Sequence, residues 1–242
     1  MAHFYLDESL DAAEAGDRVV LGGAEARHAV TVSRVRPGEP ITVGNGAGLV
    51  GRGTVITADP TELTVEVATW ETTPPASPAI WLAQALAKGD RDESAVQAAT
   101  ELGVDGVIPW SAQRSIVKWE GARQRKGVER WSSIVREATK QSVRPWTPEV
   151  SPLLSTKQLC ELAGTTRMLV LEPTAAGALS DIEVDERDIV VVIGPEGGIS
   201  PSELSRFELA GAEPVRLGDT ILRTGSAGPA AIAVLNVLVG RW

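Results

Sequence analysis

The chain has 242 residues and a formal net charge of −9, an acidic balance that excludes a uniformly basic protein that coats nucleic acid. Its hydrophobic content of 43% and charged content of 23% exclude collagen, low-complexity disorder and a small scaffold held by disulfides. The length suits one large domain or a small domain joined to a medium one, each with its own hydrophobic core.

Cysteine and histidine are too scarce for cross-links or a zinc cluster. Cys160 is the one cysteine and the chain has two histidines, so we expect no internal disulfide and no metal site. The first residues lack the basic and apolar regions of a secretory signal. The longest weakly polar run, 227–240, is shorter than the roughly 20 apolar residues that span a bilayer. We therefore expect a cytoplasmic protein without a membrane partner.

Residues 1–72 predict a small β-rich domain. Alternating or β-branched residues indicate four strands, at 18–21, 41–43, 49–56 and 63–67. The predicted helix at about 24–33 places Arg27 and Arg34 seven residues apart, and therefore on one face. With Arg36 these arginines are candidates for phosphate contacts, although a solvated helix face gives the same pattern.

Residues 73–79 contain three prolines and predict a linker before a second domain at 80–242. In the second domain, short apolar runs alternate with helical segments. The runs are 80–86, 106–109, 168–171 and 189–193; the helices are 91–102, 122–143, 156–163, 201–210 and 226–239. This alternation predicts an α/β fold with a parallel sheet and helices on both faces.

Positive charge is concentrated in residues 114–144, which we call the basic segment. It holds nine basic and three acidic residues, whereas the rest of the chain holds 14 basic and 29 acidic residues. Trp119, Trp131 and Trp146 lie in or beside it. Basic residues interleaved with aromatic rings suit RNA, whose bases stack on rings while cations hold phosphates. A solvated face of a long helix, with the tryptophans in the core, remains an alternative.

A glycine-rich turn, 194–198, directly follows a β-branched run at 189–193 that predicts a buried strand. Ser200, Pro201 and Glu203 then read as the N-cap, first and third residues of a helix with a capping box. The turn is thus placed at the carboxyl end of a central strand, where open α/β sheets bind ligands. It matches neither common glycine-rich nucleotide pattern, which disfavours a dinucleotide-dependent oxidoreductase. A purely structural turn remains an alternative.

A second loop runs from a strand-like segment near 215 into a long alanine-rich helix. Arg223 lies where this helix begins, although helix N-termini favour anions. We interpret it as a ligand contact, with an ion pair to Glu196 or Asp219 as the alternative.

Several blocks in fixed order give the chain a resemblance to a known family. They are 85–91, 99–104, 114–118, 130–138, 141–144, 171–173, 193–198, 217–218 and 221–224. In these blocks the chain resembles the RsmE family of 16S ribosomal RNA methyltransferases, members of the SPOUT class that make 3-methyluridine. The resemblance implies an N-terminal PUA-like β-barrel and a C-terminal SPOUT α/β domain with a deep trefoil knot. It also implies S-adenosyl-L-methionine as cofactor, a homodimer, and uridine 1498 of the small (30S) ribosomal subunit as the family target.

The matching positions imply the site residues. The cofactor would be held by Leu171, Glu172, Pro173, Ile193, Gly194, Pro195, Glu196, Gly197, Gly198, Leu217, Gly218, Ile221, Leu222 and Arg223. The residues that we expect to contact 16S rRNA are Arg27, Arg34, Arg36, Lys88, Arg91, Arg114, Lys118, Lys140 and Arg144.

Methylation of uridine at N3 requires loss of the N3 proton, and negative charge then develops on O2 and O4. A positioned cation would stabilise this charge, a role for Arg223 or Arg144. Gly225 and Ser226 replace the glutamate and threonine that are usual in the family, so the usual carboxylate is missing. Glu196, a water molecule or an RNA group would then take the proton. The alternative is an inactive RNA-binding assembly factor that does not bind the cofactor.

Overall fold

A computed structural model describes residues 4–11 and 14–242, which form two compact units. One unit holds the described residues up to Pro75 together with Thr139–Thr147. The other holds Ala76–Ala138 and Pro148–Trp242. The sequence assigned the whole of 80–242 to the second domain, so the placement of Thr139–Thr147 differs from that expectation.

Thr139–Thr147 joins the N-terminal unit through backbone pairing. Trp146 forms a β-bridge with Ala47, and its indole Nε1 donates to the Thr73 carbonyl at 2.8 Å. The Thr147 amide donates to the Gly46 carbonyl at 2.8 Å. Contacts between residues about 100 positions apart leave no local pattern in the sequence.

The N-terminal unit is built on a five-stranded sheet with the order β1-β3-β4-β5-β2. Its elements are β1 (Phe4–Leu6), β2 (Arg18–Gly22), α1 (Gly23–Arg27), a π-helical turn (His28–Val32), β3 (Pro40–Gly44), β4 (Leu49–Asp59) and β5 (Glu62–Thr72). Strand β1 is parallel to β3, and the other pairs are antiparallel. The four predicted strands are confirmed. Strand β1 was missed because three buried residues are too few to show alternation.

The alternation of apolar and polar residues in β5 places the apolar side chains in the core, as predicted. Leu63, Val65 and Val67 are fully buried in the core of the N-terminal unit, while Glu66 faces outward. Between β3 and β4, the Asn45 side chain accepts hydrogen bonds from the amides of the following turn, including Leu49 at 3.0 Å.

The prediction that Arg27 and Arg34 share one helix face is wrong. The helical segment ends at Val32, and Arg34 has a left-handed backbone with φ of 57°. Such a conformation breaks the helical spacing on which the prediction depended. Arg27, Arg34 and Arg36 are nevertheless all exposed.

The C-terminal unit has one parallel sheet with the main strand order β12-β10-β11-β6-β7-β8, and β9 pairs with β7. Its strands are β6 (Ile80–Ala85), β7 (Gly106–Ser111), β8 (Glu149–Val150), β9 (Leu154–Ser155), β10 (Arg167–Leu171), β11 (Ile189–Ile193) and β12 (Glu213–Val215). Its helices are α2 (Arg91–Glu101), α3 (Ala122–Gln141), α4 (Thr156–Leu162), α5 (Pro201–Leu209) and α6 (Thr224–Leu238), with a short 3₁₀ turn at Leu179–Asp181; α3 continues into Thr139–Thr147. The predicted helices and the four longer strands are confirmed.

Both faces of this sheet are covered, as the alternation of strands and helices predicted. In β11, the side chains of Ile189, Val191 and Ile193 belong to one buried cluster, and those of Val190 and Val192 to another. Helices α2, α3 and α6 contribute to the first cluster, whereas α4 and α5 contribute to the second. A strand buried on both faces needs apolar residues at every position, which explains the continuous β-branched run.

Two tryptophans of the basic segment pack inside the C-terminal unit. Trp131 is 1% exposed and meets Trp119 edge to face, with 5.5 Å between ring centroids. A Cβ at Gly127 would lie 2.5 Å from the Trp119 ring, so that ring lies directly on α3. Trp146 packs in the N-terminal unit against Gly48. Trp131 is therefore a core residue rather than a base-stacking group, whereas Trp119 and Trp146 are half-buried.

Candidate functional site

A cavity of about 460 Å³ opens at the carboxyl ends of β10, β11 and β12. Thirteen of the fourteen residues predicted to hold the cofactor line it. The exception is Gly197, where an added Cβ would lie 3.3 Å from the Arg114 side chain. Three separate stretches of sequence thus meet at one place.

The parallel register brings these stretches together. Leu171, Ile193 and Val215 end neighbouring strands, and Leu171 pairs with Val215. The Glu172 amide donates to the Val215 carbonyl at 3.0 Å, which continues the pairing into the loop. Parallel strands end at the same edge of the sheet, so the loops that follow them form one ligand-binding crevice.

Arg216 fastens the loop after β10 and was not predicted as a site residue. Its amide donates to the Gly177 carbonyl at 2.9 Å, and its guanidinium donates to the carbonyls of Ala175 and Ala176. It also lines the cavity. The sequence shows only a lone arginine next to the end of a strand. Its hydrogen-bond acceptors lie some 40 residues away, so no local pattern indicates this role.

Glu196 accepts hydrogen bonds from two residues of the loop between β6 and α2. The Lys88 amide and the Arg91 guanidinium each lie 3.1 Å from its Oε1. Burial acts to raise the pKa of Glu196, but the backbone hydrogen bonds of Glu196 and Lys88 and the Arg91 guanidinium outweigh it and lower the pKa. The carboxylate is therefore ionised at neutral pH and engaged by a cation.

Arg91 lines the cavity, although we predicted it as an RNA contact. Its ion pair with Glu196 fixes the loop before α2 against the glycine-rich turn. The sequence analysis gave Glu196 as a possible ion-pair partner of Arg223. In the structure, Glu196 pairs with Arg91 instead.

Arg223 is exposed at the cavity and is the N-cap residue of α6. Its backbone is extended, and its side chain does not cap the helix. Within residues 4–11 and 14–242, no hydrogen bond or ion pair of its guanidinium is found. A cation at a helix N-terminus without an internal counter-charge is available to a ligand.

Arg114 and Lys118 both make hydrogen bonds within the C-terminal unit. The Arg114 guanidinium donates to the carbonyls of Gly197 at 3.0 Å and Ile199 at 3.4 Å, so it supports the glycine-rich turn. The Lys118 ammonium donates to the Ala112 carbonyl at 3.1 Å. Both residues, like Lys88, remain exposed.

Lys140 is a correction to the predicted RNA contacts. It is 7% exposed, and its ammonium lies 3.1 Å from Glu25 and 5.9 Å from the centre of the Tyr5 ring. A buried, paired lysine does not reach a phosphate. Arg144 belongs to the same N-terminal unit and is half-buried.

Glu203 anchors the start of α5 behind the cavity. The capping box with Ser200 is confirmed, and Glu203 also accepts from the Gln113 amide at 2.7 Å and the Thr156 hydroxyl at 2.8 Å. Burial acts to raise the pKa of Glu203, but hydrogen bonds from Gln113, Ser200 and Thr156 outweigh it and lower the pKa. The helix that follows the glycine-rich turn is thereby tied to two other segments.

No group of three or more potential metal ligands occurs among the described residues. In the same part of the chain, none of the helices combines the length and apolar character needed to cross a bilayer.

Comparisons with known proteins agree with this geometry. Residues 74–236 match an RNA methyltransferase domain family, and residues 15–68 match an RNA methyltransferase PUA domain family. The ribosomal RNA small subunit methyltransferase E of Mycobacterium bovis is 40% identical over 99% of this chain and 92% of its own length. That of Bacillus subtilis is 28% identical over 98% of this chain and 96% of its own length.

A solved structure is similar along the whole chain. It is the ribosomal RNA small subunit methyltransferase E of Neisseria gonorrhoeae bound to S-adenosyl methionine, with a TM-score of 0.88 and 32% identity over 98% of both chains. The domain matches, the near-complete coverage and the shared fold lead to one conclusion. This chain belongs to the ribosomal RNA small subunit methyltransferase E family.

Proposed function

We propose that this chain transfers a methyl group from S-adenosyl-L-methionine to N3 of a uridine in 16S rRNA, with uridine 1498 as the target. The observation that carries the proposal is the convergence of thirteen predicted cofactor residues on one cavity. Relatives named for ribosomal RNA methylation, one of them solved with S-adenosyl methionine, support the reaction class.

The cavity suits this cofactor in size and lining. Its volume of about 460 Å³ lies within the usual range for small-molecule sites. Leu171, Ile193 and Leu222 offer apolar contacts for a purine ring, and the loop backbones between them offer donors and acceptors for polar groups. When bound, S-adenosyl-L-methionine supplies an electrophilic methyl group.

Arg223 is assigned to the charge that develops on the uracil oxygens when the N3 proton leaves. Its guanidinium is exposed at the cavity, which leaves its donors for a substrate oxygen. Arg144 remains a second candidate cation; it lies in the N-terminal unit and is half-buried.

Glu196 is assigned to positioning rather than to proton removal. An efficient general base has a pKa near the working pH, whereas hydrogen bonds from Lys88 and Arg91 lower that of Glu196. Gly225 offers no carboxylate either. Water or an RNA group therefore takes the proton in our proposal.

The two units have separate proposed roles. We assign the PUA-like domain, predicted at 1–72, to gripping RNA, and the SPOUT domain, predicted at 80–242 after the linker 73–79, to methyl transfer. Arg27, Arg34 and Arg36 offer exposed cations in the first, and Arg123, Arg125 and Lys126 do so on α3 in the second.

A deep trefoil knot and a homodimer belong to the same proposal. The resemblance to the family implies the knot, and the fold shared with the solved relative, at a TM-score of 0.88, supports the same chain path. The homodimer is what the resemblance to the family implies. The substrate would be the assembled 30S subunit in the cytoplasm.

Calorimetric titration with S-adenosyl-L-methionine, with NAD as the control ligand, tests the cofactor assignment. We expect binding of the first alone. Methylation is then compared on 30S subunits and on free 16S rRNA, with mapping of the modified nucleotide. Absence of cofactor binding both with and without RNA would favour the inactive assembly factor.

A further inference from the structure

A buried polar network joins three segments at the inner wall of the cavity. Gln84 near the end of β6 is fully buried, and its Nε2 donates to the Thr224 hydroxyl at 2.9 Å. The Thr224 hydroxyl in turn donates to the Gly194 carbonyl at 2.8 Å. Gly194 begins the glycine-rich turn, and Thr224 is the first residue of α6. Gln84 and Thr224 are 140 positions apart in sequence, and Thr224 and Gly194 are 30 positions apart.

The partners fix the direction of every hydrogen bond in this network. The carbonyls of Gly194 and Ala85 can only accept, and Gln84 Nε2 also donates to Ala85 at 3.3 Å. The Thr224 hydroxyl must give its one proton to Gly194 and must therefore accept from Gln84. A flipped Gln84 amide would direct its oxygen at the Ala85 carbonyl and would take the Thr224 proton away from Gly194. One orientation of the amide satisfies all three partners.

The cost of holding Gln84 in this orientation indicates a purpose. Its Oε1 is buried without a hydrogen-bond partner among the described residues, and it packs against Gly228, where a Cβ would lie 3.4 Å away. A buried, unpaired amide oxygen is unfavourable. An apolar residue would fill the same space without that cost, so packing alone does not explain a glutamine here.

The network connects two parts of the cavity wall, the glycine-rich turn at Gly194 and the start of α6 at Thr224. Gly194 lines the cavity, and Thr224 directly follows Arg223, the proposed catalytic cation. We propose that Gln84 is a positioning residue for methyl transfer: by orienting the Thr224 hydroxyl, it fixes the Gly194 carbonyl and the start of α6 relative to one another. This inference rests on the proposed function, because the cavity is taken to bind S-adenosyl-L-methionine.

Two variants nearly keep the shape of a side chain and remove hydrogen bonds of this network. Thr224→Val lacks the hydroxyl, and Gln84→Met lacks the amide that donates to that hydroxyl. Thr224→Ser retains the hydroxyl and serves as the rescue. Thr100→Val is the matched control, since Thr100 is also buried in this unit and its hydroxyl donates to the Val96 carbonyl within α2.

The Kd for S-adenosyl-L-methionine is measured by calorimetry for the full chain and each variant, with thermal unfolding in parallel. A buried group that loses its partner predicts a Kd about tenfold or more higher for Thr224→Val and Gln84→Met. We expect Thr224→Ser and Thr100→Val to bind like the unmodified chain, even if Thr100→Val unfolds at a lower temperature.

The outcomes separate the two proposals. If the unmodified chain binds and all variants bind equally well, the positioning role is overturned while the proposed function stands. Equal weakening in Thr100→Val also overturns it, because the effect then follows stability alone. If the unmodified chain does not bind the cofactor, with or without RNA, both proposals fail.

Discussion

Arg223 carries the positive charge that the proposed reaction needs at the cavity. Replacing one group that stabilises developing negative charge typically costs about 10²- to 10³-fold in rate, so we expect a loss of that order for Arg223→Ala. Arg223→Lys should keep part of the rate, because it keeps the charge but not the planar donor array. Single-turnover methylation at saturating cofactor and RNA measures this effect.

The control for this prediction is Arg187→Ala, which removes an exposed arginine that is paired with Asp185. It should react at the unmodified rate. An undiminished rate for Arg223→Ala would remove Arg223 from the chemistry and leave Arg144 as the remaining candidate cation.

Glu203 links the stability of the C-terminal unit to pH. Hydrogen bonds lower its pKa in the folded state, so its contribution is complete above the unfolded pKa and is lost as the pH falls through the folded pKa. Glu203→Gln should cost about 1–3 kcal/mol at neutral pH, since it weakens a buried hydrogen-bonded group. Its unfolding temperature should also fall less steeply than that of the unmodified chain as the pH falls below about 4.5.

Thermal unfolding between neutral and acidic pH tests this prediction. The matched control is Glu208→Gln, which changes an exposed residue of the same helix and should leave the profile unchanged. Parallel profiles for the unmodified chain and Glu203→Gln would show that Glu203 does not contribute to the pH dependence.

At the scale of elements, the first turns of α2 and α6 meet at Gly225. A Cβ there would lie 3.0 Å from the Arg91 carbonyl oxygen, a tight contact that requires the first turn of α2 to shift by a few tenths of an ångström. Alanine favours helix over glycine by about 1 kcal/mol, but here it would push α2 away and shift Arg91 from Glu196. We therefore expect Gly225→Ala to lower the unfolding temperature and weaken cofactor binding.

The comparison for Gly225→Ala is Ser226→Ala in the same turn, where the side chain is exposed. That variant should unfold and bind as the unmodified chain does. A higher unfolding temperature for Gly225→Ala would mean that the gain in helix propensity exceeds the cost of the close contact with Arg91. The first turn of α2 would then move aside without destabilising the fold.

For the whole molecule, a net charge of −9 makes RNA binding depend on where the cations lie. Arg123, Arg125 and Lys126 are exposed at the start of α3. Replacing all three with alanine should weaken binding to 16S rRNA and reduce the slope of log K against log salt by about 0.7 for each lost single-strand phosphate contact. Titrations at several salt concentrations measure that slope.

Lys140→Ala provides the contrast, since its ammonium is buried against Glu25. It should lower stability without changing the salt slope. A slope that is unchanged by the triple substitution would place the RNA surface elsewhere, with Arg27, Arg34 and Arg36 as the next residues to test.

Local signals predicted most of the elements. The capping box at Ser200, the alternation in β5 and the β-branched run of β11 depend on residues within a few positions of one another. The short strands β1, β8 and β9 were missed because two or three residues show no period. The extent of the N-terminal unit was also missed, since Thr139–Thr147 joins it through pairing distant in sequence.

The sequence by itself determined the α/β class and the glycine-rich loops at strand ends, because periodicity, capping and turn chemistry are local. The residues of the candidate cofactor site came from the resemblance to the family, position by position. Only the tertiary structure decided what each side chain contacts. It paired Arg91 with Glu196 across 105 positions, buried Lys140 against Glu25 across 115, and joined Gln84 to Thr224 across 140. Which charge is buried, and which is left for a ligand, depends on how distant segments pack, and no local pattern records that.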